Sequence, residues 1–323
     1  MLSRMSAPEV TLDLIRAARE RIAPYVRRTP LLDSELLSAR YGTRLEFKCE
    51  NLQYGGSFKS RGAVNAVFSL STEELKGGVV AHSSGNHGTA VARAAWLRGV
   101  RAQIVMPENS SPAKLEAVRG YGGEVHLCAP TLAARAEGAR RIVAECGAAF
   151  VHPYDDPRVI AGQGTLALEL LEQLPELELL LCPISGGGLA SGLAVAARAL
   201  RPGLRVIGVE PAVADDAQRS LRSGVLAPQP SGPATIADGL RGALSERTFA
   251  LLRAHVDDIV TVSEAGIVEA MRELWQELHV IVEPSSAVPY AALLERAVEP
   301  RGARTAVVLT GGNVALDQLP WQQ

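Results

Sequence analysis

The chain of 323 residues is poor in cysteine, poor in lysine and free of long apolar runs, and each shortage excludes something. Its four cysteines, Cys49, Cys128, Cys146 and Cys182, lie far apart without a C-x-x-C pair. They read as reduced, mostly structural thiols of a reducing compartment, so a cytoplasmic location is expected. No apolar run approaches the roughly 18 residues of a membrane span. Met1-Leu2-Ser3-Arg4 carries no apolar segment of a signal peptide. A formal charge of -2 leaves no positive excess for nucleic acid or an anionic membrane. What remains is an ordinary soluble composition, 47% hydrophobic and 21% charged, in a chain long enough for two domains.

The lysine shortage is the most informative. Of 33 basic residues only four are Lys: Lys48, Lys59, Lys76 and Lys114. Arg serves wherever plain positive charge will do. Lys59 stands in Gly55-Gly56-Ser57-Phe58-Lys59-Ser60-Arg61-Gly62, a Gly/Ser loop leading into the helical pattern Ala63 to Phe68. A desolvated Lys loses its proton readily and Arg does not, so the position suits an amine that reacts. A surface Lys at a helix start is the plain alternative.

Around that loop the pattern is α/β. A helix is expected over 9–22, a short helical piece over 36–40 and a strand over 45–49. From Gly77 strands at 79–82, 102–106, 124–127 and 148–152 alternate with helices at 89–97, 113–121 and 132–146. A second series places strands at 179–182, 205–210, 259–262 and 305–309. Its helices are expected at 162–174, 189–200, 214–223 and 285–296, with another capped by Ser263 and running to Leu278. Strands separated by helices of this length imply parallel sheets with right-handed crossovers. The loop-like stretch 228–233 is too short for an interdomain linker.

Three turns follow strands. Ser185-Gly186-Gly187-Gly188 precedes a helix, where backbone N–H groups and the helix dipole suit an anion. It lacks a Walker Lys, and no G-x-G-x-x-G with a later ribose-binding acid is present, so a phosphate monoester fits better than a dinucleotide. A tight turn needing positive φ is the structural alternative. His82-Ser83-Ser84-Gly85-Asn86-His87-Gly88 offers hydroxyls, an amide and helix-start N–H groups to a carboxylate. A capped turn with a buried His is the structural alternative. Thr310-Gly311-Gly312-Asn313 is weak on its own. Open α/β sheets bind ligands at the carboxyl ends of strands, so the three are expected to converge on one crevice.

A loop amine, a phosphate cradle and a carboxylate site together describe a pyridoxal phosphate site. The chain resembles the fold-type II pyridoxal-phosphate enzymes, in the threonine/serine dehydratase and serine racemase branch. The resemblance rests on Glu50-Asn51-Leu52-Gln53 with Gly56 to Ala63, Ser83 to Gly88, Val159 to Thr165 and Ser185 to Gly188. It continues through Ile236-Ala237-Asp238-Gly239, Glu283-Pro284-Ser285 and Gly311-Gly312-Asn313, in the family's order from about residue 25 to 317. It implies two open, twisted, mostly parallel sheets flanked by helices. Residues 1–52 and 153–323 would form a large cofactor-binding domain, and 53–152 a small mobile one with its core at about 77–152.

Carried over, the resemblance gives Lys59 the covalent hold on the cofactor and then the removal of the substrate α-proton. Ser185, Gly186, Gly187 and Gly188 would bind the phosphate, and Asn86 the ring's 3-oxygen. Thr310, where many members have Ser, would face the ring nitrogen, and Phe58, Leu189 and Glu283 would line the cofactor. Ser83, Ser84, Asn86 and His87 would meet the substrate carboxylate, with Tyr154 and Gly239 nearby. Arg135 could pair with a second carboxylate, although an exposed place in its Arg-rich helix explains it as well. Glu210, the Ala214 carbonyl and Asp216 resemble a divalent-cation site for Mg²⁺, Mn²⁺ or Ca²⁺; a solvated acidic helix start is the alternative.

The implied reaction is β-elimination of water from serine, threonine or 3-hydroxyaspartate, giving a 2-oxo acid and ammonia. Ser84 on the ring face opposite Lys59 would add racemisation, or would only cap its turn. A homodimer is implied, with a nucleotide effector as an open possibility. The short stretch after Asn313 leaves no room for the regulatory domain of biosynthetic threonine dehydratases. A Rossmann-like binding protein without catalysis is the rival class, and Lys59 speaks against it.

Overall fold

The computed structural model describes residues 10–83, 85–230, 234–317 and 319–322. Helix α1 (Leu12–Ile22) is capped by Thr11, and strand β1 (Leu31–Asp33) follows the extended Thr29-Pro30 entry. Next come α2 (Glu35–Tyr41), β2 (Leu45–Cys49) and α3 (Lys59–Phe68). The regular alternation then begins with β3 (Val79–His82), α4 (Asn86–Arg98), β4 (Ala102–Pro107) and α5 (Pro112–Arg119). It continues through β5 (Glu124–Cys128), α6 (Leu132–Cys146) and β6 (Ala149–Phe150).

The second series runs α7 (Pro157–Gln173), β7 (Leu179–Pro183), α8 (Gly188–Leu200), β8 (Arg205–Pro211) and α9 (Asp216–Ser223). It closes with α10 (Glu246–His255), β9 (Asp258–Val262), α11 (Glu264–Leu278), α12 (Pro284–Leu294) and β10 (Thr305–Leu309). Helix α10 and strand β1 are additions to the elements expected from the sequence. Helix α7 starts earlier than the apolar pattern, because Asp156 caps Arg158 N and Pro157 occupies the first turn.

Two sheets result. The larger has the order β1-β2-β10-β7-β8-β9, parallel throughout except for β1, which pairs antiparallel with β2 at the edge. The smaller, β5-β4-β3-β6, is wholly parallel and built from residues 79–150. Every residue of β2, β3, β4, β7 and β10 is buried, as expected of parallel strands covered on both faces. Two apolar clusters cover the large sheet. One gathers Ile15, Leu166, Leu193 and Val206, and the other Phe47, Ile207, Met271 and Tyr290.

This order places chemistry. Strands β2, β10, β7 and β8 are neighbours, so the segments leaving their carboxyl ends are neighbours too: the Lys59 loop, Thr310, the glycine turn and Glu210. From the small sheet, β3 ends at the Ser83 turn and β6 runs on to His152 and Tyr154. Among the described residues no helix is long and apolar enough to cross a membrane.

Candidate active site

Lys59 opens α3, with Phe58 at the cap position and its ring centroid 5.1 Å from the amine. The loop before it is tied to the end of β10: Phe58 N donates to Thr310 O at 3.0 Å, and Ser57 bridges to Gly311. Lys59 Nζ donates to Pro153 O at 2.8 Å. Burial brings the amine down to about 8, against the upward pull of the Glu283 carboxylate. A lysine so placed carries far more of its neutral form at physiological pH than an ordinary lysine, and the neutral form is what a nucleophile or base requires.

The glycine turn leaves β7 and becomes the start of α8, with Leu189 buried in its first turn. A Cβ on Gly186 would lie 2.4 Å from the Tyr154 ring, and one on Gly188 2.9 Å from Tyr154 Cα. Gly187 has φ +83°, and its Cβ would meet Thr248 at 2.8 Å. Packing thus requires all three glycines, so their number carries less than it suggests in the sequence. The anion argument rests instead on the helix start they open. Ser185 braces the turn, its Oγ accepting from Gly242 N at 2.9 Å.

Opposite stands the turn after β3. Ser83 Oγ accepts from Gly85 N at 3.0 Å, and Asn86 is the first residue of α4. Ser84 lies outside the described residues. His87 is buried and donates through Nε2 to Val151 O at 2.9 Å; burial holds its pKa well below the ordinary value, so the ring is neutral. With Nε2 spent on β6's continuation, a carboxylate at this turn would meet backbone N–H groups rather than an imidazolium.

Asn86 connects the two sheets. Its Nδ2 donates to Glu283 Oε1 at 2.8 Å, and its Oδ1 accepts from Asn313 Nδ2 at 2.9 Å. Asn313 also donates to Gly55 O at 2.8 Å. Burial, with Asp238 nearby, pushes Glu283 up to about 8. Lys114 on α5 pairs with Asp238, a second link between the sheets. Both links border a cleft of about 810 Å³ lined by Gly85, Asn86, Lys114, Asp238, Glu283 and Asn313. The sequence names Asn313 only within a motif and Lys114 only among the lysines, with no role for either side chain. For Asn313 the Gly311-Gly312-Asn313 motif was the available signal, whereas the Lys114 contact depends on tertiary placement. Gly239 sits exposed nearby, its N–H donating to Ser285 Oγ at 3.0 Å.

On the β6 side the rings of His152 and Tyr154 meet edge to face at 4.6 Å, and His82 and His152 at 5.9 Å. Burial, with His152 and the Arg135 guanidinium close by, lowers His82 to about 4. Arg135 also lies within charge range of Tyr154. It is half-buried, and its Nε is enclosed without a hydrogen-bond partner among the described residues.

Glu210 and Asp216 are buried at the end of β8 and the start of α9. Glu210 accepts from Gln218 N at 2.9 Å and Ala217 N at 3.3 Å, and Asp216 from Leu244 N at 3.1 Å. Neither carboxylate has an Arg or Lys partner among the described residues, and burial together with Asp216 pushes Glu210 up to about 9. Buried carboxyls without a cationic partner are donors of the kind a hard divalent cation takes.

The arrangement offers an enclosed amine of lowered pKa, a helix-start anion site and an inter-sheet polar bridge at the ends of neighbouring strands. Those features fit pyridoxal phosphate. Comparisons agree. Residues 22–311 match the model of the pyridoxal-phosphate dependent enzyme family. The β-hydroxyaspartate dehydratase of Paracoccus denitrificans is 47% identical over 96% of this chain and 98% of its own length. A serine racemase of Arabidopsis thaliana is 46% identical over 94% and 93%. The structure of maize serine racemase superposes with a TM-score of 0.93 at 43% identity, covering 98% of this chain and 97% of that one. The chain therefore belongs to the pyridoxal-phosphate dependent enzymes of fold type II, in the branch that holds dehydratases and serine racemases.

Proposed function

We propose that the enzyme eliminates water from a β-hydroxy-α-amino acid and that 3-hydroxyaspartate is the preferred substrate. The observation that carries the choice is Arg135, a half-buried guanidinium beside His82 and Tyr154 whose enclosed Nε has no acceptor among the described residues. A buried donor without a partner is costly, and a second carboxylate on the substrate would satisfy it. Serine and threonine bring no such group. The hydroxyaspartate dehydratase relative supports the same choice.

Pyridoxal phosphate, when bound, supplies an electron sink for charge developing at Cα. Lys59 would hold it and then take the Cα proton; the helix start of α8 would receive the phosphate, Asn86 and Thr310 would lie toward the ring, and Phe58, Leu189 and Glu283 would enclose it. Ser83 and the N–H groups at the start of α4 orient the α-carboxylate, with Tyr154 and Gly239 at the edges. The β-hydroxyl leaves as water, and hydrolysis of the resulting enamine returns that water, so the net products are a 2-oxo acid and ammonia. For 3-hydroxyaspartate the oxo acid is oxaloacetate.

A panel of L- and D-serine, L-threonine and the 3-hydroxyaspartate isomers tests this, scored for oxo acid and enantiomer together. Arg135→Gln should raise KM for hydroxyaspartate at least about tenfold and spare serine. Equal losses on both substrates would sink the assignment. Racemisation is the second reading, favoured by the serine racemase relatives and by Ser84. Unchanged racemisation in Ser84→Ala would remove Ser84 as the opposing acid. We further read Glu210, Asp216 and the Ala214 carbonyl as a cation site for Mg²⁺, Mn²⁺ or Ca²⁺, residues 53–152 as the mobile part, and the assembly as a cytoplasmic homodimer.

A further inference from the structure

Beneath the start of α3 lie four charged side chains that take no part in the site described above. Lys48 of β2 is fully buried and donates from Nζ to Glu169 Oε1 at 2.5 Å, Gln173 Oε1 at 2.7 Å and Thr29 O at 2.7 Å. Glu169 of α7 reaches Arg61 Nη2 through its other oxygen at 3.1 Å. Arg61 grips Glu50 with two parallel bonds, Nε to Oε2 at 2.8 Å and Nη2 to Oε1 at 2.7 Å. Thr29 closes the cluster, donating from Oγ1 to Glu50 at 2.6 Å and from N to Glu169 at 2.8 Å. Two cations and two anions cancel. Burial works against the charges of Lys48, Glu50 and Arg61, yet Arg61 and Thr29 hold the Glu50 carboxyl below its ordinary value.

Stability alone does not account for such a cluster, because well-packed apolar side chains of the same volume usually serve as well or better. Its position does. Lys59 is the first residue of α3, and no side chain caps that helix. An uncapped helix start is ordinarily the first part to fray. Here Arg61, two residues on, is clamped by the fork to Glu50, while Gly62 N donates to Gln163 Oε1 at 3.1 Å. Gly62 and Gly162 touch so closely that a Cβ on Gly162 would lie 2.6 Å from Gly62 Cα, which keeps α3 hard against α7. The cluster thus reaches from β2 and α7 into the turn that carries the reactive amine. Its neutrality matters as well: an unbalanced charge on Arg61 would oppose protonation of Lys59 from two residues away.

We propose that Arg61 is a positioning residue for Lys59, its two-pronged bond to Glu50, seated on the Lys48–Glu169 pair, fixing the first turn of α3. The proposal rests on Lys59 being the cofactor-bearing amine. Arg61→Lys keeps the charge and loses the fork. Glu169→Asp keeps all four charges and withdraws one of them by a methylene. The holoenzyme of each is compared with the unaltered chain for melting temperature, kcat and KM per bound cofactor. Borohydride fixation and peptide mapping locate the cofactor. In Arg61→Lys the cofactor should still map to Lys59, KM should stay within about threefold and kcat should fall about tenfold to a hundredfold, the scale of a sub-ångström to ångström misplacement. Glu169→Asp should lose less, because the Glu50 fork survives, and it decides the matter when Arg61→Lys does not fold. An unchanged kcat per bound cofactor in either folded variant, however low its melting temperature, overturns the proposal. A cofactor that maps elsewhere in the unaltered chain refutes the reading of Lys59 and not the clamp.

Discussion

Asn86 and Glu283 stand 197 positions apart in the chain and share a hydrogen bond of 2.8 Å, joining the first residue of α4 to the residue that precedes α12. The bond ties the small sheet's helix to the large sheet at the mouth of the cleft. Burial raises the Glu283 carboxyl to about 8, so the folded chain binds a proton there that the unfolded chain, at about 4.3, releases. Stability from this group is complete at low pH and is lost as pH rises through the window from about 4.3 to about 8. Urea melts of the cofactor-free protein between pH 5 and 8.5 should show that decline, amounting to roughly a few kcal/mol. Glu283→Gln should flatten it. A slope that persists unchanged in the variant would assign it elsewhere.

Lys59 should react as an amine of pKa about 8. Mass-spectrometric acylation of the cofactor-free protein should give a half-point for Lys59 near that value, well below the roughly 10.4 of an ordinary lysine. Lys59→Ala should lower turnover by at least about a thousandfold and leave no borohydride-fixed cofactor. Colour that remains as a reducible protein adduct in that variant would move the assignment to another residue.

Most of the fold and much of the site were legible because they depend on local patterns. Apolar runs such as Leu179 to Cys182 and Thr305 to Leu309 are continuous because both of their faces are covered, and they appear as central strands. Helix α10 was hidden for a local reason. Its capping box pairs Ser245 with Thr248 rather than with Glu or Gln, and it follows a Pro-rich loop. Contacts between sheets were not legible at all. Lys114–Asp238 and Asn86–Glu283 join segments more than a hundred positions apart, and nothing in either local pattern names the partner. Tyr154 illustrates the same limit: its ring, not only an anion, dictates glycine at 186.

The glycine turn should therefore fail in two separable ways. Gly186→Ala drives a Cβ into the Tyr154 ring and should cost about 1–3 kcal/mol of stability. Combining it with Tyr154→Ala should restore most of the melting temperature. If the turn cradles phosphate, affinity for pyridoxal phosphate should fall in Gly186→Ala, where the clash displaces the turn, and return with stability in the double variant. A cofactor affinity untouched by Gly186→Ala would make the glycines a packing device alone.

The carboxylates of Glu210 and Asp216 give a test that needs no turnover. Both are buried, burial raises the proton affinity of each, and neither forms an ion pair with Arg or Lys among the described residues, Arg219 being paired with Asp215. A divalent cation that binds the folded chain alone should stabilise it by about 2.7 kcal/mol at a hundredfold excess over its Kd. Adding Mg²⁺ or Ca²⁺ to chelator-treated protein should raise the melting temperature by several degrees. Glu210→Gln removes one ligand charge and should abolish that rise while leaving the chelated protein about as stable, since without a cation burial already keeps the Glu210 carboxyl protonated. Should the chelator and the added ions leave the melting temperature where it was, the pair is a helix-start arrangement, with Glu210 serving only the N–H groups of Ala217 and Gln218.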